Sequence, residues 1–202
     1  TRMSTGLTSR SWDFVTLQQS PPDSGLANTY NADLTNLIAY VKGKVKNPEA
    51  TKLAWHMTWT YQKDSTHPGF TNYGKNQPTM YKGIVDAVKK HIVPNPDIDT
   101  IIPTGTAIQN LRSTVLGDTV TRDGFHLSYD VGRYTAALMY VKQLTGLSID
   151  NVGWKASGVD GEKRFLAIES VNHAYETPLT ITGSRYSGST APGGSFVQIT
   201  PG

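Results

Sequence analysis

The chain has 202 residues, of which 37% are apolar and 17% charged, with a formal net charge of +3; that suits one domain with a sizeable core and excludes a disordered or fibrous chain. It has no cysteine, which excludes disulfides, thiol catalysis and thiolate metal centres, and no apolar run approaches the ~20 residues of a membrane-spanning helix. The basic residues are scattered, and their densest cluster, Lys89-Lys90-His91, closes a predicted helix whose dipole it complements, so nucleic-acid binding is not expected.

The start, Thr1-Arg2-Met3-Ser4, reads as neither an initiator nor a signal peptide, and the chain is expected to be trimmed there. Trp12 to Gln19 reads as a buried strand with a polar end, followed by a Ser20-Pro21-Pro22-Asp23-Ser24-Gly25 loop. Leu34, Leu37, Ile38, Val41 and Val45 recur at helical spacing. Lys52 to Trp59 is the second predicted strand, and it leads into a long polar loop through Asp64, His67, Pro68 and Asn76. Loops of that length in a compact domain tend to carry function. A helix opened by Pro78 carries Met80, Tyr81, Ile84, Val88 and Ile92, and Thr100 to Pro103 is a third, short strand. The order β, α, β, α, β argues for a parallel sheet covered by helices, with ligands bound beyond the carboxyl ends of its strands.

After a short helix or turn over Gly105 to Arg112 comes Thr121-Arg122-Asp123-Gly124-Phe125-His126-Leu127-Ser128. An acid and a base stand three residues apart in it. Imidazole takes and returns a proton near neutral pH, and a neighbouring carboxylate fixes its tautomer and stabilises the imidazolium. Val131, Tyr134, Leu138, Val141 and Leu144 then mark one helical face, with Asp130 as the expected N-cap and Gly146 as the stop. A last helix fits Glu162 to Tyr175 on Phe165, Ile168, Val171 and Tyr175, ended by Pro178. Residues 183–202, with Gly183, Gly188, Gly193 and Gly194, read as a Gly/Ser-rich tail with a possible edge strand over Phe196 to Ile199.

Four blocks together, Trp12 to Ser20, Trp55 to Phe70, Ile102 to Asn110 and Thr121 to Gly132, resemble the SGNH (GDSL-like) hydrolase superfamily, and more narrowly its uncharacterised bacterial branch, a domain of unknown function. The resemblance covers roughly residues 8 to 182. It implies a flavodoxin-like three-layer α/β/α fold with a mostly parallel sheet, in which residues 1–182 are the C-terminal two thirds of a single domain and the first strands are missing. It also implies a nucleophilic Ser on a turn upstream of residue 1, with Asp123 and His126 completing a triad. The family's Asn-bearing block is replaced here by Gln18-Gln19-Ser20, and either glutamine amide is a candidate oxyanion donor.

Other residues stand beside these. Ser4, Ser9 and Ser11 precede the first predicted strand without a Gly-x-Ser turn, and Ser20 is the best internal nucleophile candidate, although two prolines follow it. His67 lies in a second Asp-x-x-His spacing with Asp64, where loop architecture or substrate contact is the favoured reading. Trp59 and Tyr61 suit either an aromatic wall for a sugar or rim packing. His56 reads as a hydrogen-bonded core histidine. Metal ligation by His56, Asp64 and His67 matches no known spacing, so neither metal nor cofactor is expected.

The function expected from the resemblance is serine-dependent hydrolysis of a small-molecule or glycan ester, such as a carbohydrate acetyl ester, by an exported protein, secreted or periplasmic. The alternative is a non-catalytic carbohydrate-binding or interaction module that kept the fold. Loss of the first strands would bare the Trp12 to Gln19 strand as an apolar edge, for which the missing N-terminal piece or a second copy is the expected partner.

Overall fold

The structure is a computed structural model and describes residues 2–187. The predicted edge strand over Phe196 to Ile199 lies outside them. The described chain divides into two compact units, neither continuous in sequence: residues 2–58 with 68–102, and residues 59–67 with 103–187.

The first unit holds a three-stranded parallel sheet in the order β1 (Phe14–Leu17), β2 (Lys52–His56), β3 (Thr100–Ile102). Register runs Phe14 to Lys52 through Leu17 to Trp55, then Ala54 to Thr100 through His56 to Ile102. Beyond the strands, Lys52 donates its N–H to the Asp13 carbonyl, and Met57 donates to the Ile102 carbonyl, each at 2.9–3.0 Å. The α/β alternation expected from the sequence is present. β1 lies at one margin of the sheet, with Phe14 and Val15 half-buried and Thr16 exposed.

Three helices belong to this unit: α1 (Arg2–Ser9), α2 (Ala32–Lys42) and α3 (Gln77–His91). α2 starts where the Asn31 side chain accepts the Asp33 N–H, and α3 where Asn76 accepts from Thr79, with Pro78 in the first turn. α3 buries Met80, Tyr81, Ile84, Val85, Ala87 and Val88, and Gly25 packs on Gly83 so closely that a Cβ on Gly83 would stand 2.8 Å from the Gly25 carbonyl oxygen. α1 had no counterpart in the sequence reading, because only Leu7 of its eight residues is buried.

The second unit is helical: α4 (Thr104–Arg112), α5 (Val131–Thr145) and α6 (Gly161–Glu176). α4 is its hub, with every residue from Thr104 to Leu111 buried. Two of its buried polar side chains are matched: Asn110 donates to the Ser170 carbonyl and accepts the Thr182 N–H, and Thr106 donates to the Pro178 carbonyl.

Two expectations about these helices need correction. α6 buries Leu166, Ala167, Ser170, Val171 and Ala174, a face rotated from Phe165, Ile168, Val171 and Tyr175, and Tyr175 is 40% exposed. Small Ala and Ser side chains let helices approach closely, so the packed face is not the most apolar one. On α5, Val141 is 43% exposed. Asp130 holds the N-cap position but makes no side-chain cap bond; its carboxylate takes Lys163 Nζ at 2.7 Å, and the Ser128 hydroxyl accepts the Gly132 N–H instead. Gly146 does end α5, at φ +69°.

Candidate active site

The segment carrying Asp123 and His126 is a pinched loop built on two buried apolar feet, Val120 and Leu127. Thr121 and Leu127 form an isolated antiparallel bridge, Ser128 donates its N–H to the Val120 carbonyl, and Arg122 donates to the His126 carbonyl at 2.9 Å. Gly132, in the first turn of α5, lies against that foot: a Cβ there would stand 2.5 Å from the Val120 carbonyl oxygen. Gly124 turns the tip at φ +86°, a conformation open to glycine and costly to other residues.

At the tip, Asp123 Oδ2 and His126 Nδ1 are 2.7 Å apart. The other oxygen, Oδ1, accepts the backbone N–H of His126 at 2.8 Å and of Phe125 at 3.3 Å. Desolvation opposes ionisation of this carboxyl, but the backbone N–H of His126, its ring and the N–H of Phe125 together outweigh it and draw the Asp123 pKa down to about 2. An ionised carboxylate only accepts, so Nδ1 must carry the proton, and Nε2 of a neutral His126 presents its lone pair away from Asp123. His126 is about half exposed, with its ring tilted against Phe125 at 4.2 Å between centroids.

Residues 59–67 grip this loop. Trp59 Nε1 donates to the Phe125 carbonyl at 2.7 Å, and the Gln62 N–H donates to the Gly124 carbonyl at 2.7 Å. Rings continue outward from His126: Phe125 meets His67 edge-on at 4.7 Å, and His67 lies 4.6 Å from Tyr61. The gripping segment is itself anchored to α4 by Arg112, which donates to the Thr60 hydroxyl and to Gln109 Oε1 at 2.6 Å each and pairs with Asp118 at 2.7 Å. Burial lowers the Arg112 pKa to about 10 against the raising effect of Asp118, so the guanidinium stays charged at neutral pH. Asp118 also accepts the Lys63 N–H at 2.8 Å.

Thus Asp123, His126, Trp59 and His67, four of the residues singled out from sequence, share one unit and one cluster. Phe125, Gln62 and Arg112 were missed. Phe125 was visible inside the motif, but nothing in the spacing distinguishes a ring that packs on the imidazole.

Gln18 and Gln19 belong to the other unit, at the carboxyl end of β1. Gln18 Oε1 accepts from His56 Nδ1 at 2.8 Å, so His56 is the hydrogen-bonded core histidine read from the sequence, and burial lowers its pKa to about 4 and keeps it neutral at neutral pH. Gln19 folds back on its own loop: Nε2 donates to the Thr29 hydroxyl at 3.0 Å and Oε1 accepts the Ser20 N–H at 2.8 Å. Ser20 leads into a 3-10 turn, Pro21–Asp23, rather than a helix. Among the described residues, no group of three His, Asp or Glu side chains is placed to hold a metal ion.

Residues 1–175 match the family described as Domain of unknown function (DUF4886). The chain belongs to the DUF4886 family. This DUF4886 domain is similar to a crystal structure of a DUF4886 family protein from Bacteroides uniformis ATCC 8492, with 37% sequence identity and a TM-score of 0.84 over 89% of this chain and 68% of that one. No curated protein matches the DUF4886 chain.

Proposed function

We propose that this domain carries the acid–base pair of a serine-dependent ester hydrolase of the SGNH type, acting on acetyl or acyl esters of carbohydrate. The observation that carries the reading is the 2.7 Å bond between an ionised Asp123 and His126 Nδ1, which leaves Nε2 as an outward-facing base. The parallel order β1-β2-β3 with β1 at the margin supports it as well, being the order that remains when two earlier strands of a flavodoxin-like sheet lie beside β1.

In the proposed reaction a Ser from a preceding segment attacks the ester carbonyl while His126 Nε2 takes its proton. The same nitrogen returns that proton to the departing sugar alkoxide, and water then releases the acyl group from the Ser by the reverse transfers. Asp123 fixes the tautomer and stabilises the imidazolium. An exported, secreted or periplasmic setting belongs to the same reading.

The test is a fluorophosphonate probe on protein expressed from the full upstream reading frame, with the 202-residue chain alongside, followed by mapping of any labelled peptide. Labelling of an upstream Ser in the longer form alone is expected, as is loss of ester turnover by ~10³-fold or more in His126→Ala with folding retained. Absence of labelling in both folded forms would refute the hydrolase reading and favour a non-catalytic carbohydrate-binding module.

A further inference from the structure

The residue before Asp123 and the first turn of α5 bring two guanidinium groups to one exposed ring. Arg122 Cζ lies 4.7 Å and Arg133 Cζ 4.5 Å from the ring centroid of Tyr129, which is 66% exposed. Arg122 Nε also stands 3.6 Å from Asp123 Oδ2, so this cluster adjoins the acid–base pair directly. The nearby carboxylates neutralise it only in part, through the Arg122 Nε pair with Asp123 at 3.6 Å. Asp123 is already bound by the His126 ring and two backbone N–H groups, Asp130 is paired with Lys163, and among the described residues no ion pair is recorded for Arg133.

Two like charges gathered on one surface ring repel each other, and the ring face compensates only in part. The arrangement does, however, restrict two otherwise mobile side chains, and it holds planar donor forks in place. Such forks suit the two-oxygen edge of a carboxylate or sulfate. The positive N-terminal end of α5, on whose first turn Arg133 sits, adds to the same field.

We infer that Arg122, Tyr129 and Arg133 form a receptor for an anionic group, carboxylate or sulfate, on the sugar that bears the ester, so that the substrate class is an acidic glycan. The inference rests on the hydrolase reading for the ester, but the binding it describes needs neither the Ser nor turnover.

Binding therefore tests it separately. Calorimetric titration of the chain with galacturonic acid trimer, a sulfated galactotriose and neutral galactotriose, at low and moderate salt, is expected to give at least tenfold tighter binding of an acidic probe, weakening as salt rises. The carboxylate and sulfate arms identify which anion is recognised. Arg122→Gln, Arg133→Gln and Tyr129→Ala should each reduce that preference fivefold or more, while Lys82→Gln, on an exposed helix face of the other unit, should leave it unchanged. Equal binding of acidic and neutral trimers, an unaltered preference in the variants, or tighter binding of an RNA oligonucleotide than of either acidic sugar would each overturn the proposal. Fluorophosphonate labelling with no acid preference would sink this inference and leave the hydrolase reading standing; acid preference without labelling would do the reverse.

Discussion

Replacing Gly124 by Ala attacks the candidate site through its backbone. At φ +86° an L side chain is strained, at a cost of about 1–2 kcal/mol. The new Cβ would also stand 3.1 Å from Ser65 Oγ and 3.3 Å from both Ser65 Cα and Cβ. Ser65 is buried and cannot retreat freely, so overpacking adds roughly 1–2 kcal/mol more. The expected total is about 2–4 kcal/mol. Gly146 supplies the control, because it has a similar positive φ of +69° and nothing within 4 Å of its Cβ direction; Gly146→Ala should lose only the backbone part, about 1–2 kcal/mol. Urea unfolding followed by far-UV circular dichroism measures both, and adding Ser65→Gly to Gly124→Ala should recover part of the packing loss. If Gly124→Ala costs no more than Gly146→Ala, the close seating of the Asp123–His126 loop on Ser65 is wrong.

Trp59→Phe removes the donor to the Phe125 carbonyl and should cost about 1–3 kcal/mol, read as a lower urea midpoint at unchanged slope; an unchanged midpoint would show that the indole bond does not hold the loop. His56, with its pKa lowered by burial to about 4, binds a proton less readily folded than unfolded, so stability should fall as pH drops from about 6.5 to 4, by up to about 3 kcal/mol. His56→Gln should flatten that slope in acid denaturation, and an equal slope in the variant would contradict the assignment. Asp123 behaves differently: its depressed pKa makes its contribution present above the ordinary carboxylate range near ~4 and lost as pH falls through about 2. Carboxyl NMR should find this group ionised at pH 3, and an ordinary titration midpoint would count against the three hydrogen bonds it accepts.

What was legible in the sequence followed from local chemistry. The Asp-x-x-His pair, the helix stop at Gly146, the αβ alternation and the hydrogen-bonded core His56 each depend on neighbours in the chain or on a simple apolar run. Strand ends were read too long: Gln18 and Gln19 make side-chain bonds past the end of β1, and Met57 to Trp59 lie past the end of β2, although the Met57 N–H still donates to the Ile102 carbonyl. The α6 face was missed because Ala167, Ser170 and Ala174 pack by being small, which periodicity of large apolar residues does not register. The grip of residues 59–67 on the Asp123 loop joins positions that no local spacing links.

Because residues 59–67 belong with the helices while both their flanks belong with the sheet, the chain leaves the first unit, returns and leaves again. A single cut near residue 102 would therefore not yield an independent helical piece: it would strip away Trp59, Thr60 and Gln62, leaving the Phe125 and Gly124 carbonyls without these donors and Arg112 without its hydroxyl partner. Dissection of this protein calls for circular permutation or grafting of the short segment onto the later one, rather than truncation.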